Sequence, residues 1–127
     1  MIKQVGVVTV HVYDQDAAID FYTNKLGMQL VGDTDMVNGS RWVLVKPEEG
    51  PTALTLYKLP DHAAGQFPIG SHHPIVLVVD DLDKTYEELT SRGVEFSHAP
   101  FESGPDAKTA LFLDADKNEL ILTDAQS

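Results

Sequence analysis

The 127 residues are 43% hydrophobic and 23% charged, enough to bury the core of one domain and too apolar for wholesale disorder. Nine basic residues against twenty acidic ones give a net charge of −11, which argues against nucleic acid and anionic membrane surfaces as partners. The absence of cysteine excludes disulfides, thiolate metal sites and cysteine nucleophiles. No apolar run approaches the roughly 20 residues of a membrane helix, and MIKQVGVVTV does not resemble a secretory signal. A cytoplasmic location is therefore expected.

The first predicted element is a strand over Val5–Tyr13, with Val8, Val10 and Val12 on one face and Val7, Thr9, His11 and Tyr13 on the other. Asp14 is placed to cap a helix, and Asp16 adds negative charge to its first turn. Ala18, Ile19, Phe21, Tyr22 and Leu26 share one helical face, and Gly27 stands at the stop. Met28 and Leu30 begin a second strand, and Gly32–Ser40 reads as a turn. Arg41–Lys46 and Ala53–Leu59 are the third and fourth strands, joined by a turn over Lys46–Pro51. Residues 60–72, rich in proline and glycine, read as a linker.

The second half repeats the plan. Superposing Asp14 on Asp81 pairs Asp16 with Asp83, Ile19 with Tyr86 and Tyr22 with Leu89; after a one-residue gap Gly27 pairs with Gly93. A strand is expected over Ile75–Val79, then a helix capped by Asp80 or Asp81 with Leu82, Tyr86 and Leu89 inward. Val94–Ser97 reads as a short extended piece and His98–Ala107 as a loop. Lys108–Leu113 and Glu119–Thr123 close a hairpin. The expected class is α+β, one domain over 1–127 built from two βαβββ modules at about 5–59 and 73–124.

The D-x-D…FY…LG pattern of Asp14, Asp16, Phe21, Tyr22, Leu26 and Gly27, with the V-D-D-L-D of Val79–Asp83, resembles the vicinal oxygen chelate superfamily. That superfamily includes glyoxalase I, extradiol dioxygenases, fosfomycin-resistance transferases and bleomycin-resistance proteins. The resemblance implies an open, curved mixed-sheet barrel with helices outside and a cavity inside, and a homodimer. It also implies a divalent metal held by four His, Glu or Gln residues. Residue by residue, those positions fall on Val7, Thr55, Pro74 and Ile121. Valine, proline and isoleucine offer no donor atom, and a lone threonine hydroxyl is a weak substitute. A rebuilt set of His11, Tyr57, His73 and Glu119 would need two changes of register. In the last hairpin the family's D-P-D-G-N is D-A-D-K-N here. A positive φ at Lys117 would cost on the order of 1 kcal/mol, so a different turn type is expected.

The expected function is binding of a small organic molecule on a sheet-lined cavity with no metal cofactor. His11, Tyr13, Thr55, Tyr57 and one of Arg41 or Trp42 are the candidate ligand contacts. The other of that pair would face the helix. His11 is also the best candidate for a general base, although no partner carboxylate can be named from the sequence. His72 and His73 read as surface-loop residues. Phe67 and Phe101 read as tucked under loops, at a pocket rim or in a dimer contact. Two alternatives stand beside this reading: a lyase or dioxygenase using a divalent metal on displaced ligands, and a dimeric interaction module whose cavity is filled.

Overall fold

The computed structural model describes residues 1–36 and 40–125, apart from the side chain of His62. The chain divides into two units, Met1–Ile69 and Gly70–Ser127.

In the first unit, β1 (Val7–His11) leads into α1 (Gln15–Asp20), followed by β2 (Gln29–Asp35), β3 (Arg41–Lys46) and β4 (Ala53–Tyr57). The strand order is β1-β4-β3-β2, with β1 parallel to β4 and the other pairs antiparallel. Asp14 starts α1 because its Oδ1 accepts the Ala17 amide at 3.0 Å. The helix widens into a π-turn over Phe21–Lys25, in which the Leu26 amide donates to the Phe21 carbonyl at 3.1 Å. Gly27, at φ +77°, ends it. The core lies between this helix and the sheet. Tyr22 and Ala18 from the helix are buried with Val10, Val43, Val45 and Leu56 from the strands. Each of the larger side chains contributes about 1.5–3 kcal/mol.

The second unit follows the same plan: β5 (His72–Val78), α2 (Leu82–Ser91), β6 (Glu95–Gly104), β7 (Ala107–Leu113) and β8 (Glu119–Thr123), in the order β5-β8-β7-β6. Asp81 rather than Asp80 is the cap; its Oδ1 accepts the Lys84 amide at 3.1 Å. Leu82 and Leu89 are buried on the helix, and Tyr86 meets Phe96 edge-on at 4.6 Å. The class is α+β, two βαβββ modules each built on a four-stranded mixed sheet.

Four local expectations are corrected. β2 runs on to Asp35 through the expected turn, since Asp33 is gripped by Arg41 and Thr34 pairs with Trp42; residues 37–39 lie outside the described residues. The expected loop over His98–Ala107 is largely strand. Three register shifts along the edge strand β6 accommodate its polar residues and Pro100. β5 begins at His72 rather than Ile75, and its pairing slips between His72 and Val76, across Pro74, which has no amide to donate. Lys117 does take a positive φ, +66°. The Asp114 carboxylate imposes that turn by accepting the Asp116 and Asn118 amides at 2.8 and 2.9 Å.

Candidate functional site

Strand alternation in the first unit sends Val10, Val43, Val45, Leu54 and Leu56 toward α1, each at most 4% exposed. The opposite face is then read from the register. Thr9 stands beside Thr55, His11 beside Tyr57, Leu44 beside Thr55, and Thr34 beside Trp42. His11, Thr55, Tyr57 and Trp42 therefore share one face of one sheet.

Arg41, on the other parity, belongs to the helix side. Its guanidinium reaches both oxygens of Asp33, at 3.2 and 2.8 Å, and Asp16 at 2.9 Å. These hydrogen bonds raise the guanidinium pKa further, and the Arg41 bond holds the Asp33 carboxyl below its ordinary range. The open choice between Arg41 and Trp42 thus falls on Trp42 for the sheet face.

Tyr13 is also displaced from the expected group. The pairing of β1 ends where the Val12 amide donates to the Tyr57 carbonyl at 3.0 Å, and the Asp14 cap then turns the chain into the helix. Tyr13 is 65% exposed and lines a depression with Gln15 and Arg41 instead.

The His11 imidazole stacks on Phe67, with centroids 4.6 Å apart and planes 4° from parallel. It meets Tyr57 edge-on at 6.3 Å. Phe67 comes from a proline- and glycine-rich segment with no periodicity, so only its isolation among small and polar residues marked it. Thr55 is 1% exposed, and its hydroxyl has no hydrogen-bond partner among the described residues. A buried polar group left unpaired costs roughly 1–3 kcal/mol.

In the second unit, the face turned away from α2 carries Val76, Val78, Ile121 and Phe101; Val76 is 52% exposed and Val78 61%. At its end stands a polar cluster the sequence reading missed. One oxygen of Glu119 accepts from His72 Nδ1 at 2.7 Å and the other from Ser97 Oγ at 2.5 Å, and His98 Nδ1 lies 3.8 Å from the oxygen that Ser97 engages. The Ser97 bond, then the His72 bond, holds the Glu119 carboxyl below its ordinary value. His73 points elsewhere and donates to the Ser71 carbonyl at 2.9 Å.

The resemblance places metal ligands at Val7, Thr55, Pro74 and Ile121, and of these only Thr55 has a side-chain donor atom. Among the described residues no group of three His, Cys, Asp or Glu side chains is placed to hold a metal ion. Valine, proline and isoleucine at the other three positions present no oxygen or nitrogen side-chain ligand.

Residues 4–122 match the Glyoxalase/Bleomycin resistance protein/Dioxygenase superfamily. The chain is 35% identical over 100 residues to the uncharacterized protein YetH of Bacillus subtilis (strain 168), across 79% of this chain and 81% of YetH. It superposes on a Sphaerobacter thermophilus DSM 20745 member of that superfamily with a TM-score of 0.87 at 34% identity, covering 96% and 97% of the two chains. TnmS3, an antibiotic binding protein from Streptomyces sp. CB03234, is similar at 32% identity and a TM-score of 0.80, covering 95% and 94%. A match over nearly the whole length, carried by two βαβββ modules, identifies the chain as a member of the glyoxalase/bleomycin resistance protein/dioxygenase superfamily.

Proposed function

We propose that this protein binds a small organic molecule, of the kind an antibiotic-binding relative takes, on the sheet face formed by His11, Thr55, Tyr57 and Trp42, without a metal. The observation that carries the reading is Thr55. It stands in the register of a glutamate metal ligand, is buried, and keeps an unpaired hydroxyl aimed away from the helix side. A flat ligand body would lie against the rings of Trp42, Tyr57 and His11, and displacement of the side chains over Thr55 would let its polar group reach that hydroxyl. The similarity to TnmS3 supports this class of ligand.

The same reading makes the chain a cytoplasmic homodimer, in which a second copy covers exposed apolar residues such as Val78. Light scattering on the purified protein tests the dimer.

Trp42 is the only tryptophan, so its fluorescence reports on the face directly. Titration with a panel of flat aromatic antibiotics should quench it saturably for at least one compound, and Thr55→Val should weaken that compound. Elemental analysis of protein purified without chelator or affinity tag should find no stoichiometric metal. One equivalent of a transition metal, with thermal stabilisation by that metal, overturns the metal-free reading.

A further inference from the structure

On the helix side of the first unit, where β1 turns into α1, a pocket of about 590 Å³ opens beside Gln15. Gln15 is 7% exposed, although a glutamine is an expensive side chain to bury. Its Nε2 donates to the Leu56 carbonyl at 2.9 Å and to the Arg41 carbonyl at 3.0 Å. Two carbonyl acceptors consume both N–H groups and fix the amide's orientation, since a flipped oxygen would face two oxygens. Oε1 is left as an acceptor with no partner among the described residues, on a side chain that lines the pocket.

The rest of the lining favours the same kind of guest. Asp14, Asp16 and Asp61 bring three carboxylates, against Arg41 and Lys58. Arg41 is already engaged by Asp16 and Asp33, and Lys58 is exposed. The positive end of the helix dipole is answered by Asp14 at the cap and Asp16 in the first turn. Tyr13, Leu59 and Pro60 add an apolar wall. The lining therefore carries more carboxylates than cations, in a protein whose net charge of −11 already draws cations toward its surface.

We propose that this pocket is a second ligand site, taking a small organic cation whose primary ammonium donates to Gln15 Oε1 and whose apolar body rests on Tyr13 and Leu59. The site lies on the face of the sheet opposite Trp42 and Thr55 and does not depend on the function proposed for that face.

The test is a titration of the full chain with benzylamine, benzyl alcohol and benzoate at equal ionic strength, followed by 15N–1H NMR. Benzylamine should shift the Gln15 side-chain amide and the Tyr13 and Leu59 backbone amides along one saturable curve, leaving the Trp42 indole unmoved. Benzyl alcohol should bind at least tenfold more weakly and benzoate should produce no curve. Gln15→Met should weaken benzylamine by about tenfold or more, as a hydrogen bond to a charged group requires. Should that variant not fold, two surface changes decide the matter: Asp61→Asn should weaken binding about threefold and Lys58→Gln should tighten it about twofold. Equal binding of benzoate, indifference to these substitutions, or the same shifts from calcium chloride alone would overturn the proposal.

Discussion

The imidazole of His11 lies flat on the ring of Phe67, 4.6 Å between centroids, so a residue of a turn-rich segment fixes the orientation of a strand residue 56 positions earlier. A stacked aromatic pair is worth about 0.5–1.5 kcal/mol beyond its buried area. Phe67→Ala should lower stability by no more than about 1 kcal/mol, because Phe67 is half exposed. It should also remove the ring-current shift on the His11 carbon-bound protons. One-dimensional proton NMR against pH reads the shift, and urea unfolding reads the stability.

Thr55→Val exchanges an unpaired buried hydroxyl for a methyl of similar volume. Removing the unsatisfied group should raise stability by about 1 kcal/mol while ligand affinity on the His11 face falls. A gain in urea midpoint together with a loss of Trp42 quenching is the expected pair of results. Lower stability in the variant would mean that the hydroxyl has a partner in solution.

Lys117 holds φ at +66°, a region that costs a residue with a Cβ on the order of 1–2 kcal/mol. Against this stand its exposed ion pair with Glu95 at 2.9 Å and the greater freedom of an unfolded glycine. Lys117→Gly should therefore gain about 0.5–1 kcal/mol, and Lys117→Val should lose at least about 1 kcal/mol. Guanidinium unfolding of the two variants checks the sign of each.

Glu119 gives the fold a pH dependence of known sign. Its carboxyl is depressed in the folded state, by Ser97 first and His72 second, below the ordinary glutamate value of about 4.3. Its contribution is then fully present above that value and is lost as pH falls through the lower, folded one. Thermal midpoints of the wild type and Glu119→Gln should differ by a steady amount above the ordinary glutamate value and converge as pH falls below it. A difference that stays constant down to pH 3 would show that the carboxylate charge contributes nothing.

The caps and stops were legible because each rests on local chemistry. Asp14, Asp81, Gly27 and Gly93 act within one helical turn of their own backbone. The face shared by His11, Thr55 and Tyr57 was legible too, since alternation and the repeat together set the parity of β1 and β4. What the sequence hid depends on register. Ser97 and His72 reach Glu119 only because β5 pairs through a slip and β6 through bulges, and neither irregularity has a periodic signature. Trp42 could be told from Arg41 only once Asp16 and Asp33 were known to converge on the guanidinium from two other elements. Tyr13 was misplaced because the alternating strand pattern runs one residue past the last ladder bond, that of the Val12 amide.

The wide turn at the end of α1 explains the single mismatch in the internal repeat. The stretch from Asp14 to Gly27 is one residue longer than that from Asp81 to Gly93, and the extra residue falls after Tyr22, where the Leu26 amide reaches back five positions to Phe21. An added residue in a regular helix would rotate everything beyond it by about 100°. Here a local loosening of pitch absorbs the insertion, so Gly27 still arrives where the chain must reverse into β2. The two halves could thus drift apart in length after a duplication without either losing its stop signal. Excising Asn24, an exposed residue of that turn, should return the first helix to the even winding of its counterpart.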